Sequence, residues 1–162
     1  MSTRIDNLLD MGRLVREPAS DEEVAGLWAH AVEAYEDAGL EKRSPNRRLT
    51  AAYDAGRVPA LAVVRAADLR VRASNHHEVT LTAAGFLAGG ELEALLQEFQ
   101  ALRLERIQIE YGWKTRTSVA EVERVLPRVR DLLVHASLAI SVRRPSVRDD
   151  IRPPAGPETE NG

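Results

Sequence analysis

Residues 44–67 read SPNRRLTAAYDAGRVPALAVVRAA, and the spacing of their apolar members decides the fold class. Leu49, Ala52, Tyr53, Gly56, Ala60, Val63, Val64 and Ala67 recur at intervals of three and four, the period of one helix face. Ser44 is a natural N-cap, and Pro45 stands at the first helical position, where a missing amide donor is harmless. Pro59 removes one internal bond and is expected to bend the helix near Arg57. Ser74 and Asn75 are turn formers, so the helix is expected to fade near Arg72.

Working outward, the same period continues in both directions. Val24, Leu27, Trp28, Ala31, Val32 and Tyr35 form a stripe that opens on Ser20 with Glu23 three positions on, the spacing of a capping box, and stops at Gly39. Asn75 with Glu78 repeats the capping spacing and starts a helix to about Leu87, which Gly89 and Gly90 end. Leu92, Leu95, Leu96, Phe99, Leu102 and Ile109 mark a fourth helix to about Gly112. Ser118 with Glu121 opens a fifth, whose Val122, Val125, Leu126, Val129, Leu132, Leu133, Ala136 and Ile140 share a side and whose Pro127 is expected to kink it.

Alternating strand-like stretches are scarce. The fold class read from this pattern is all-α, an up-and-down bundle of four to five helices with short connections. Residues 20–142 form the bundle, and residues 1–19 precede it as an amphipathic segment carried by Ile5, Leu8 and Leu9, which packs on the bundle or on a partner. From 143 to 162 the composition turns to Arg143, Arg144, Pro145, Pro153, Pro154 and Pro157 with little to bury. This tail is read as disordered and its deletion as nearly neutral for stability.

Composition sets the limits on function. The chain has 162 residues, 44% hydrophobic and 29% charged, with no cysteine. That length supports one domain with a core. The lack of cysteine excludes a disulfide scaffold, a thiolate metal site and a cysteine nucleophile, and fits a cytoplasmic location. A net charge of −3 gives no global attraction to phosphate, so any nucleic-acid contact needs a local basic patch. There is no apolar run of about 18 residues and no signal-peptide pattern, so no membrane partner is expected. The hydrolase nucleophile elbow, the P-loop and the dinucleotide fingerprint are absent. Helix-turn-helix DNA binding is conceivable around Asn75, but the net acidity disfavours it.

Two constellations carry chemistry. Arg70-Val71-Arg72-Ala73-Ser74-Asn75-His76-His77-Glu78 gathers three ionisable types at the junction of the second and third helices. Arginine holds phosphate in bidentate fashion, and histidine moves protons near neutral pH. Against this, adjacent histidines point in different directions on a helix, and a histidine at a helix start often only orients a turn. Neither histidine has a partner at metal-ligand spacing, so no metal and no other cofactor is expected. Late in the fourth helix, Leu102-Arg103-Leu104-Glu105-Arg106-Ile107-Gln108-Ile109-Glu110-Tyr111 places Arg106 and Glu110 four apart on one face. An ordinary surface ion pair accounts for that spacing. Their position at the edge of the apolar stripe also suits an Arg106 that lines a groove.

Taken in order, Ala51-Ala52-Tyr53-Asp54-Ala55-Gly56-Arg57, Ala67-Asp68-Leu69-Arg70-Val71-Arg72 through His76-His77, and Leu102-Arg103-Leu104-Glu105-Arg106 through Glu110-Tyr111 resemble the HEPN (higher eukaryotes and prokaryotes nucleotide-binding) family, most closely an actinobacterial branch. The resemblance covers residues 20–142. It implies a helical bundle, a homodimer with its pocket at the subunit interface, and binding of RNA or nucleotides. It further implies metal-independent ribonuclease activity, as in toxins of toxin-antitoxin or phage-defence systems, or else a non-catalytic binding or scaffold role beside a nucleotidyltransferase-type antitoxin. The family signature is an arginine, a polar residue and a histidine four to six positions on. Arg106 matches the arginine, Ile107 occupies the polar position, and Glu110 and Tyr111 stand where the histidine falls. The resemblance thus assigns catalysis to Arg106, with Glu110, Tyr111, His76 or His77 as the proton-handling group, and RNA contact to Arg70, Arg72 and Arg103. A rival from another class is a helical ligand-binding regulator, recognised by a sizeable apolar cavity.

Overall fold

The computed structural model describes residues 2–110 and 117–156, and their side chains except those of 104–110. The fold is an all-α bundle. In chain order it comprises α1 (Thr3–Asp10), β1 (Leu14–Arg16), α2 (Asp21–Ala38), α3 (Pro45–Ala66), β2 (Leu69–Val71), α4 (His76–Ala88), α5 (Gly90–Glu110), α6 (Val119–Arg143) and a 3-10 turn (Pro145–Val147).

Serine starts four of the helices. Ser2, Ser20, Ser44 and Ser118 lie in extended backbone and accept hydrogen bonds from the amides of Ile5, Glu23, Arg47 and Glu121, respectively. Asn75 does not cap α4 in this way. Its ψ of 55° departs from the extended values near 150° of the serine caps, so its side chain does not reach a helix amide and instead donates to the Glu78 carboxylate at 3.3 Å. The α4–α5 corner is made by Gly89 and Gly90, with φ of 64° and 55°, a conformation that residues with a Cβ rarely adopt.

The stripe expected of α3 is buried, but burial extends around the helix. Ala55, Val58, Pro59, Ala62 and Ala66 are buried together with Leu49, Ala52, Tyr53, Ala60, Val63 and Val64. α3 is the central helix, with α2, α6, α4 and α5 packed around it. Small side chains permit that crowding. At Gly56 a Cβ atom would lie 2.2 Å from Cζ of Phe99, so α3 and α5 meet at a glycine. The helix runs through Pro59, and α6 runs through Pro127.

β1 and β2 pair antiparallel, with Leu14 opposite Val71, Val15 opposite Arg70 and Arg16 opposite Leu69. α3 therefore ends at Ala66, six residues before the expected boundary at Arg72, because Leu69 and Val71 turn inward on a strand while Arg70 and Arg72 face out. Arg65 fastens this corner. Its buried guanidinium donates to Glu23 at 3.1 and 3.0 Å and to the carbonyls of Glu17, Pro18 and Leu69 at 3.0, 3.2 and 3.0 Å. The capping-box glutamate thus serves Arg65 with its carboxylate.

Both ends of the described chain belong to the same core. Ile5 and Leu8 are buried in it, and Arg4 pairs with Glu93 at 2.6 Å while lying 4.2 Å over the Phe86 ring. At the other end, order extends past the expected limit at 142. Arg144 donates to Asp21 at 2.9 Å, to Asp68 at 2.7 Å and to the Ala66 carbonyl at 3.2 Å. Val147 and Ile151 are buried, and the Trp28 indole donates to the Arg152 carbonyl at 2.8 Å. Two aliphatic anchors and these polar bonds seat the proline-rich segment. Residues 157–162 of the tail lie outside the described residues. Among the described residues, no helix is long and apolar enough to cross a membrane.

Candidate functional site at the start of α4

The segment from β2 into α4 presents the Arg/His constellation. β2 alternates strictly, so Leu69 and Val71 fill the core and Arg70 and Arg72 reach solvent on one side. Arg70 is committed to the Glu17 carboxylate. Arg72 is exposed and is positioned by its backbone amide, which donates to the Arg13 carbonyl at 2.8 Å.

Four residues further on, His76 is exposed and, next to it, His77 is partly buried. Their rings stand edge to face, 6.2 Å apart. His77 turns inward, where its Nδ1 is 2.9 Å from the Tyr53 hydroxyl. Tyr53 is fully buried and in turn stacks on Phe99, with ring centroids 5.6 Å apart and planes 11° from parallel. A buried tyrosine hydroxyl needs a partner, and His77 provides one. The chain Phe99, Tyr53, His77 therefore links α5, α3 and the first turn of α4.

This bond sets what His77 can do with its other nitrogen. If the Tyr53 hydroxyl donates to Nδ1, the neutral ring carries its proton on Nε2 and offers a donor. When Nδ1 carries the proton and donates to the tyrosine oxygen, Nε2 is a base. An imidazole oriented through one ring nitrogen is an arrangement used for proton transfer.

The other candidates are distributed as follows. Arg103 lies on α5, one turn beyond Phe99, and is partly buried. Arg106 and Glu110 also fall on α5, but their side chains lie outside the described residues, as does Tyr111 entirely. The structure thus joins His77 to Tyr53 and places Arg70 on the adjoining strand, with Arg72 just after its end. The functional partner not singled out from the sequence is Tyr53, read there as core. Its signal was a hydroxyl within a stripe of alanine and valine, a polar atom that burial obliges to bond.

Among the described residues, no three histidine, aspartate or glutamate side chains gather closely enough to hold a metal ion. A separate apolar groove of about 260 Å³ lies between α5 and α6, lined by Leu95, Phe99, Leu102, Val125 and Val129 with Arg124 and Arg128 at its rim. Comparison with family models, with curated proteins and with solved structures gives no match.

Proposed function

We propose that the chain is a HEPN-like RNA- or nucleotide-binding protein that cleaves RNA without a metal, with His77 as its proton-handling group. The observation that carries this reading is the 2.9 Å contact between Tyr53 and His77, which orients one histidine at the mouth of an arginine-bearing strand. In the proposed step, His77 takes the proton from a ribose 2′-hydroxyl as that oxygen bonds to phosphorus. The bond to the 5′-oxygen breaks, leaving a 2′,3′-cyclic phosphate and, once protonated, a 5′-hydroxyl end. Arg72 and Arg106 supply the charge that steadies the phosphate. The reading includes a cytoplasmic homodimer and a nucleotidyltransferase-type antitoxin as partner.

A second reading is a catalytically silent binding or scaffold module of the same type. What favours it is that Arg70 is already paired with Glu17 and that Glu78 is exposed beside the histidines, which together lower the positive charge available to a phosphate. An RNA cleavage assay in EDTA separates the two, using wild type, His77→Ala, Tyr53→Phe and Arg106→Ala, each checked by thermal melting. The proposal expects wild-type cleavage, a loss of roughly 10²- to 10⁴-fold in His77→Ala, and a smaller loss in Tyr53→Phe. RNA binding without cleavage selects the second reading. Neither binding nor cleavage overturns both.

A further inference from the structure

The segment after α6 holds a feature that the RNA reading does not use. Residues 144–152 form a strap across the start of α2 and over Trp28. One end is a clasp of four polar side chains. Asp21 accepts from Arg144 at Oδ1 (2.9 Å) and from the Ser146 hydroxyl at Oδ2 (2.8 Å), while Arg144 also donates to Asp68 at 2.7 Å. These two donors hold the Asp21 carboxyl below the usual carboxylate range, the Ser146 hydroxyl first and Arg144 second. The other end is apolar, with Val147 and Ile151 buried and the Arg152 carbonyl over the Trp28 indole.

Ser146 is exposed, and the residues around it read Arg143-Arg144-Pro145-Ser146-Val147. Two arginines at two and three positions before a serine, with an aliphatic residue after it, is the charge pattern that basic-directed protein kinases select. Arg143 is exposed, and its side chain makes a 3.2 Å contact with the Leu87 carbonyl. We propose that Ser146 is a phosphoacceptor for a kinase of that specificity, and that phosphate at this position unfastens the strap from the bundle.

The chemistry is a simple transfer from ATP. A base of the kinase takes the Oγ proton, Oγ bonds to the γ-phosphorus, and the bond from that phosphorus to the β–γ bridging oxygen breaks to release ADP. The hydroxyl that donates to Asp21 becomes a phosphate of charge near −2 with acceptors only. Placed against the carboxylate that it used to satisfy, it repels Asp21 and competes with Asp21 and Asp68 for Arg144. The kinase needs an extended substrate, so it acts on the opened strap, and the phosphate then disfavours closure. Opening uncovers Trp28 and the seats of Val147 and Ile151.

The test uses the full-length protein, Mg-ATP and the catalytic subunit of cAMP-dependent protein kinase, with phosphate located by tandem mass spectrometry. A peptide of residues 140–150 serves as substrate control. Hydrogen exchange is then followed at the amides of Val147, Arg148, Asp150 and Ile151, all of which donate to backbone carbonyls within the strap. The expected result is one phosphate on Ser146, none there in Ser146→Ala, and exchange of the strap amides at least about tenfold faster in the phosphoprotein. Ser146→Ala loses one hydrogen bond to the Asp21 carboxylate without adding charge and is expected to speed exchange less than the phosphate does. Failure to phosphorylate Ser146 in either peptide or protein overturns the assignment. Full phosphorylation with strap exchange unchanged overturns the switch.

Discussion

Gly56→Ala sets two effects of known sign against each other. An alanine in the middle of a helix is favoured over glycine by about 1 kcal/mol, so propensity alone predicts a more stable protein. At this position the new Cβ would stand 2.2 Å from Cζ and 2.3 Å from Cε2 of Phe99, against an ordinary carbon contact of about 3.5 Å. The ring has to withdraw by more than about 1 Å, yet it is itself buried and stacked on Tyr53. Overpacking of this kind costs about 1–3 kcal/mol, which offsets or exceeds the propensity gain and leaves a net loss of up to about 2 kcal/mol. For a chain of this length that is a fall of up to roughly 8 °C in Tm. Urea and thermal unfolding of wild type, Gly56→Ala, Phe99→Leu and the double variant provide the assay. Because leucine is shorter than phenylalanine, the alanine should become neutral or stabilising in the Phe99→Leu background, with a coupling of at least about 1 kcal/mol. A Gly56→Ala protein more stable than wild type, or strict additivity in the cycle, refutes the close approach of α3 and α5.

Other expectations follow from the same contacts. Deleting residues 145–162 removes the burial of Val147 and Ile151, each worth about 1.5–3 kcal/mol, so Tm should drop by many degrees; an unchanged melt would restore the disordered-tail reading. Arg65→Ala leaves Glu23 and three carbonyls without their donor and should cost about 3–5 kcal/mol in chemical denaturation, whereas a loss under 1 kcal/mol would show that the corner holds without it. Hydrogen bonds from Arg65 lower the Glu23 carboxyl, and hydrogen bonds from Arg4 lower Glu93. A depressed folded-state value means that the stabilisation is complete above the ordinary carboxylate range near pH 4 and is lost as pH falls through the folded value. The urea midpoint should therefore decline below about pH 4, and Glu23→Gln should flatten that decline; an identical acid slope in the variant would exclude the Arg65 pair as a contributor.

The helices were legible because period and punctuation agreed. Ser20, Ser44 and Ser118 each sit before a stripe of period 3.6, and all three cap. The misreadings have local causes. Leu69 to Arg72 alternates over only four residues, too short to outweigh the helix before it, and becomes a strand because Leu14 to Arg16 arrives from far away in sequence to pair with it. Val147 and Ile151 are isolated apolar residues among prolines and charges, and composition cannot show that a seat exists for them beside Trp28. Asn75 and Glu78 have capping spacing, but the backbone leaving β2 brings Asn75 in at the wrong ψ. At the candidate site the histidines were visible as chemistry. The tyrosine that orients one of them was not, because its stripe reads as core until α4 is folded against α3.

The central position of α3 also bears on how the chain is made. α2 and α3 can pair as soon as they leave the ribosome, but α6, which covers another side of α3, is complete only at Arg143. At roughly 5–20 residues per second, the interval between the end of α3 and the end of α6 is about four to fifteen seconds. During that time Ala60, Val63 and Val64 belong to a helix whose cover is incomplete. A nascent chain stalled in this window should bind holdase chaperones, and release should coincide with synthesis of the last helix.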